Sequence, residues 1–338
     1  MTRPRTSSTL KPAPPPVPTL STLENTLTLT PLPELGPDIF TNTRPQWQPF
    51  GARGIYGGAV IAQSLLAATH TVEPQFYPHS MHCYFVLAGN PHLPLIYHVD
   101  NIRAGRSFQT RTVRALQQGK CIFTCTISFT LHVEEVRGED GEVEKRVVSH
   151  QPVMPAGKIA GPEECEDEPA IIARLLAAGR IDKEQAEAAQ RRWEKDPWDW
   201  RRIASDYPES TPPGEKVFRS WVRCKDAVQE KGMQLAALAY LSDSWLLGTV
   251  GRANQKARVS DIGMMVSLDH TIHFHTENVK MGEWLLVETQ SPWAGGERGL
   301  ARQTIYASDG RALASCEQEG MIRLKDGRQG GGTAESKL

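Results

Sequence analysis

The chain lacks any apolar run long enough to cross a bilayer. The longest that reads as helical is Leu235 to Leu241, against the roughly 20 residues a spanning helix needs. It also lacks an apolar core at its N-terminus, where Pro, Thr and Ser dominate from Met1 to about Leu20. That composition argues against a secretory leader and predicts that residues 1–22 are disordered. Charge of one sign is not in excess: 38 Lys and Arg stand against 39 Asp and Glu, a net charge of −1. Bulk nucleic-acid binding is therefore not expected. The six cysteines are scattered, and Cys121 and Cys125 are spaced C-x3-C with no second pair. This supports neither a zinc ribbon nor a disulfide framework, and reduced thiols inside a cell fit best. There is no G-x-S-x-G elbow, and no Walker or dinucleotide glycine motif in a suitable context.

What is present is ordinary globular material with an internal repeat. The 338 residues are 39% hydrophobic and 23% charged, enough for two units with sizeable cores. One stretch stands apart in composition. It carries Glu163-Glu164-Cys165-Glu166-Asp167-Glu168, then helical apolar spacing from Ile171 to Trp193, then Pro197-Trp198-Asp199-Trp200. This predicts a helical, acidic connector over 151–215, while Gly138 to Glu144 reads as a charged turn. The chain thus divides into a first unit at 23–150, the connector, a second unit at 216–325 and a flexible tail at 326–338.

The two units repeat each other. The first has an apolar helix from about Gly57 to Thr69, then strand-like runs His79–Phe85, Leu95–Ala104, Ser107–Leu116 and Cys121–Leu131. The second has an apolar helix from about Met233 to Leu247, then runs Val266–His275, Trp284–Trp293, Arg298–Ala307 and Ala312–Arg323. His79 and Gly105 are 26 positions apart, as are His270 and Gly296, and one offset of 191 carries the first strand block onto the second. Such self-similarity implies two copies of one unit. A helix apolar on nearly all sides must be buried, and a sheet wrapped around it is the simplest solution. The expected fold class is α+β, a double hotdog.

These residues resemble the type II acyl-CoA thioesterases, bacterial and peroxisomal. The stretches that carry the resemblance are Gly57 to Leu65, His79 to Phe85, Arg103 to Phe108, Leu241-Ser242-Asp243, Leu268-Asp269-His270-Thr271 and Glu317-Gln318-Glu319-Gly320. The resemblance implies hydrolysis of fatty acyl-CoA. It implies a catalytic set of Asp243 on the second long helix, Ser267 before the Asp-His pair, and Gln318 in the last strand.

Thioester hydrolysis needs a positioned water, a base and donors for the developing oxyanion. A thiolate leaves readily, so neither a metal nor another cofactor is expected. Asp243, placed inside an apolar helix, should have a raised pKa and serve as the base. Ser267 and Gln318 can hold the water, and the Gln318 amide could also donate to the thioester oxygen. Asp269 is a rival base, although a turn or pairing role is more usual at a strand start. His273 and His275 share a strand face, but two His make an incomplete metal site. Arg103, Arg106 and Arg298 could meet CoA phosphates, though solvated strand-end arginine is commoner. In the first unit, helix alignment sets Gln63 near the position of Asp243, so one half would be structural.

The alternatives on the same fold are a hotdog-type enoyl-CoA hydratase and a non-catalytic acyl-CoA binder. The final residues Ser336-Lys337-Leu338 match a receptor-read peroxisomal address, approached through the glycine-rich 327–332. The expected partners are an acyl-CoA substrate and a peroxisomal import receptor, in the peroxisomal matrix. No nucleic acid and no membrane span are expected, and a homo-oligomer is left open.

Overall fold

The computed structural model describes residues 7–49, 52–131, 148–155, 159–254 and 261–325. The charged turn expected at Gly138–Glu144, the tail from residue 326 and its Ser336, Lys337 and Leu338 lie outside these residues. The first unit contains α1 (Thr22–Leu27), β1 (Leu29–Pro31), β2 (Ile39–Asn42), α2 (Gly57–Thr69), β3 (Phe76–Phe85), β4 (Ile96–Ala104), β5 (Phe108–Gln117) and β6 (Lys120–Leu131). The connector carries α3 (Glu168–Ala177), α4 (Lys183–Lys195) and β7 (Trp198–Arg202). The second unit contains β8 (Val217–Cys224), α5 (Lys231–Ser242), α6 (Gly248–Ala253), β9 (Ile262–Ser267), β10 (Asp269–Phe274), β11 (Leu285–Gly295), β12 (Arg298–Ala307) and β13 (Ala312–Leu324).

All neighbouring strands pair antiparallel in one sheet. Its order is β1-β2-β4-β5-β6-β3-β10-β13-β12-β11-β8-β7, with β9 pairing β13 off this path. The order reads the same from either end under exchange of the units, as a duplicated chain requires. The exchange axis passes through the β3–β10 ladder. Met81 pairs with Ile272 there, and the offset of 191 carries Met81 onto Ile272.

Both long helices lie inside. Every residue from Gly58 to Ala68 of α2 is buried, as is every residue from Leu235 to Ser242 of α5. Neither helix has a polar face to offer to water, so each is enclosed by strands and by the other. They pack against one another within a core that includes Ile61, Leu65, Phe129, Leu238, Ile272 and Ile305. This is the α+β double hotdog.

Three sequence expectations are corrected. The second helix does not run from Met233 to Leu247; α5 stops at Ser242, and Asp243 is its C-cap. The chain breaks there because Trp245 adopts a left-handed backbone, φ +63°, which a helix cannot accommodate. The connector is not purely helical, since β7 pairs with β8 and extends the sheet. Its chain packs over the outer sheet face around Trp221, Leu286 and Tyr306. Residues 7–22 are held rather than free. Asn25 accepts from the Val17 N–H at 2.8 Å, Asn42 donates to the Ser8 carbonyl at 3.0 Å and Arg44 donates to the Pro15 carbonyl at 3.0 Å. Low apolar content is compensated here by side-chain clamps from the first unit.

Glu24 of α1 fixes the start of α5. Its buried carboxylate accepts from the Ser21 N–H and Oγ at 2.8 and 2.7 Å, and from the Gln229 and Glu230 N–H at 2.8 and 3.1 Å. Burial alone would raise its pKa, but these bonds together hold it below the usual carboxylate range. Glu24→Gln should therefore lower stability near neutral pH by about 1–3 kcal/mol. A lowered folded pKa gives stabilisation that is present above the ordinary carboxylate range and lost as pH falls through the folded value. The gap between variant and parent in thermal melts should accordingly close in acid. A variant as stable as the parent at pH 7 would show that the carboxylate does not pin α5.

Candidate active site

The C-terminus of α5 meets the N-terminus of α2, and Asp243 sits at the junction. Its Oδ2 accepts the Gly58 N–H at 2.9 Å, and its Oδ1 accepts from Gln318 Nε2 at 2.7 Å. Gln318 Nε2 also donates to Ser267 Oγ at 3.1 Å. The three residues singled out in the sequence thus meet at the Gln318 amide, from the C-cap of α5, the last residue of β9 and the middle of β13. The amide orientation follows from charge, because turning it over would set Oε1 against the carboxylate. Both Gln318 N–H groups are engaged in this arrangement. The amide is therefore not free to donate to a thioester oxygen.

The approach of the two helix ends depends on glycine. A Cβ on Gly57 would lie 2.8 Å from Asp243 Oδ2 and from the Phe85 ring. A Cβ on Gly58 would lie 2.5 Å from the Tyr240 carbonyl. Gly57 N–H, in the first turn of α2, has no acceptor among the described residues. First-turn amides point out of the helix end and favour an anion.

Asp243 is raised from the ordinary Asp range to about 6, first by burial, with the Gln318 and Gly58 bonds working against it. Glu24 is the instructive contrast, since it too lies at a helix start. Four hydrogen bonds overcome desolvation at Glu24, and two do not at Asp243. The under-satisfied carboxylate is the better base. The residue as a whole is half-buried rather than sealed.

The rivals are occupied elsewhere. Asp269 Oδ1 accepts the Glu319 N–H at 2.9 Å, a pairing role. His275 contacts Ser315 at 2.8 Å, and His273 meets the edge of His82 with ring centroids 5.6 Å apart. Among the described residues no group of three or more His, Cys, Asp or Glu could hold a metal ion. Arg298 is paired with Glu319 at 3.0 Å, while Arg103 lies near the end of β4 and Arg106 lies in the β4–β5 turn.

The sequence reading missed Tyr56, whose hydroxyl donates to the Tyr240 carbonyl at 3.0 Å and bonds Ser244 Oγ at 2.8 Å. It also missed the Gly58 amide. The Gly57-Gly58 pair at a helix start was the available signal for that contact.

The matching position in the first unit carries no such set. The offset of 191 takes Ser267 onto Phe76 and Gln318 onto Ile127. The C-cap of α2 is His70, stacked on Phe40 at 5.5 Å. Gln63 is not the counterpart of Asp243. It is buried mid-helix, accepting from the Tyr97 hydroxyl at 2.7 Å.

Two family models match, described as the acyl-CoA thioesterase N-terminal domain over residues 43–130 and the acyl-CoA thioesterase C-terminal domain over residues 162–322. The chain belongs to the type II acyl-CoA thioesterase family. Among curated thioesterases it is 35% identical over 302 residues to acyl-coenzyme A thioesterase 8 of Homo sapiens, covering 88% of each chain. It is 28% identical over 335 residues to the peroxisomal acyl-coenzyme A thioester hydrolase 1 of Saccharomyces cerevisiae, covering 90% of this chain and 95% of that one. Among solved thioesterase structures, acyl-CoA thioesterase II TesB2 of Mycobacterium marinum superposes with a TM-score of 0.68 at 28% identity. That match covers 91% of this chain and all of the other.

Proposed function

We propose that the chain hydrolyses fatty acyl-CoA to the free acid and CoA, using a water activated by Asp243. The observation that carries the reading is the convergence of Asp243, Ser267 and Gln318 within hydrogen-bond distance. Water held near Asp243 and Ser267 attacks the thioester carbonyl as Asp243 takes its proton. The carbonyl oxygen becomes an oxyanion, which the free Gly57 N–H at the positive end of α2 can stabilise. The tetrahedral adduct collapses by breaking the C–S bond, and the CoA thiolate leaves with the proton that Asp243 had taken, which restores the carboxylate. Gln318 holds Asp243 and Ser267 in register and is a positioning residue in this scheme.

The hydratase alternative needs a histidine at the reacting atoms. His270 contacts Ser242, the residue before Asp243, but it is fully buried and bonded to Ser242 Oγ at 2.9 Å. Burial pushes it down to about 3, so it is neutral. The binding-only alternative gives no reason for a carboxylate kept short of hydrogen bonds. Release of free thiol from a fatty acyl-CoA, measured beside hydration of the matching enoyl-CoA, separates the three. Thiol release alone supports hydrolysis; hydration alone, or tight binding with neither reaction, would overturn it.

The peroxisomal matrix is the proposed location, supported by the terminal tripeptide and by the name of the yeast relative. Deleting Ser336-Lys337-Leu338 should abolish import and spare thiol release in vitro. Continued import would place the address elsewhere.

A further inference from the structure

Two residues beyond Asp243, Trp245 is 55% exposed and holds a backbone φ of +63°. An aromatic residue in the left-handed region is a genuine outlier, and such outliers persist where the surroundings fix them. Two guanidiniums neighbour this one. Arg192 of α4 and Arg202 of β7 lie over its indole, with Cζ 5.9 and 5.7 Å from the ring centroid. Both come from the connector, whose contribution the hydrolytic scheme leaves unused. A third, Arg252 of α6, stacks over Phe218 at 4.2 Å. It lies near enough to Arg202 for that charge, after burial, to help lower its pKa.

The cluster sets three guanidiniums against two nearby carboxylates, Glu168 and Asp196. Among the described residues its only ion pair joins Arg202 to Glu168, at 3.3 Å. Asp196 faces Arg192 from the end of α4; burial raises it to about 6, so near neutral pH it is mostly ionised and offsets one of the three cations. Guanidiniums that repel one another stay together at low cost only when an anion joins them. Their planar forks suit phosphate oxygens.

The position matches the proposed substrate. Two residues span at most about 7 Å of chain, so the Trp245 backbone lies close to that of the catalytic residue, with Arg192 and Arg202 over its indole. CoA carries its thioester at one end of a flexible arm and its phosphates at the other.

We infer that Arg192, Arg202 and Arg252 form the subsite for the phosphates of the CoA nucleotide, with Trp245 as the residue that positions the first two. This rests on the hydrolytic reading of the Asp243 site. The connector then serves to bring two of the three cations to the mouth of a site built by the second unit.

The test compares two thioesters of one fatty acid, the acyl-CoA and the acyl-pantetheine, which lacks the nucleotide. The double variant Arg192→Gln/Arg202→Gln keeps much of the aliphatic packing and removes both charges. Its KM for acyl-CoA should rise about ten- to a hundredfold with kcat little changed, while the preference for acyl-CoA over acyl-pantetheine collapses. Trp245→Leu should raise the same KM by a smaller factor. Equal changes in KM for both thioesters, or none, would overturn the subsite. Calorimetric binding of adenosine 3′,5′-bisphosphate reads it without any chemistry. The parent should bind and the double variant should not, and a parent that fails to bind also overturns the inference. Hydrolysis of neither thioester by a parent that binds the nucleotide would sink the hydrolytic reading alone.

Discussion

Asp243→Asn should lower kcat by about 10²–10⁴-fold, the usual scale of general-base catalysis, and should make the protein more stable near neutral pH. Both effects have one cause. The carboxylate is held at about 6 because burial disfavours its charge and only two bonds compensate. An acid whose folded pKa lies above its unfolded value binds protons more tightly when folded, so stability falls as pH rises from about 4 to about 6. Asparagine has no charge to desolvate. It can still accept from Gly58, and the Gln318 amide can turn over to offer Oε1, which is buried and unpartnered. The variant should therefore melt higher than the parent at pH 7–8, with the gap shrinking below pH 6. The parent's kcat/KM should fall as pH drops through about 6, when Asp243 takes up its proton. A variant retaining most of the thiol release would remove Asp243 from the mechanism. A variant no more stable at pH 8 than at pH 5, relative to the parent, would refute the account of its strain.

Gly58→Ala should damage both stability and catalysis, although alanine is the better helix former by about 1 kcal/mol. The added Cβ would lie 2.5 Å from the Tyr240 carbonyl and 2.5 Å from the Tyr56 ring. The carbonyl is backbone of a buried helix and cannot swing aside, so α2 and α5 must separate. Overpacking of this kind costs about 1–3 kcal/mol, occasionally more, which outweighs the gain in propensity. Separation would also draw the Gly58 N–H away from Asp243 Oδ2, pushing the carboxylate pKa further up. The acid limb of the pH–rate profile should then move to higher pH as the melting temperature falls. A variant with unchanged melting and an unchanged limb would mean that the helix ends tolerate a wider gap.

Much of this was legible in the residues. The offset of 191 exposed the duplication, and buried-helix composition located α2 and the interior of α5. The site residues were legible by resemblance, not by pattern: nothing in the spacing of Asp243, Ser267 and Gln318 says that one amide joins them. What escaped the sequence has physical reasons. The end of α5 is set by a strained Trp245 backbone, and apolar composition continues past it to Leu247. β7 reads as part of an acidic connector because its Trp, Asp and Arg residues lack the alternation of a strand, although Trp198 is buried in the main core. The clamping of residues 7–22 depends on Asn25, Asn42 and Arg44, polar residues whose partners are not evident from local pattern. The Gly58 amide carries no side-chain signature at all.

The seam between the units has a consequence for the order in which the chain becomes whole. β3 pairs with β6 on one side and with β10 on the other. Phe85 ends β3 and Asp269 begins β10, 184 positions later. At roughly 5–20 residues per second the ribosome takes about 10–40 s to supply that partner. Once β6 is made the first unit presents an unpaired strand edge until β10 arrives, and its apolar helix lacks its companion until α5 is made. Such an edge accepts other strands readily. Joining two copies in one chain places the correct partner on the same molecule, but leaves the first half dependent on the last third of the sequence. Nascent chains of this protein are most exposed to mispairing, and most in need of a chaperone, between the release of β6 and the arrival of β10.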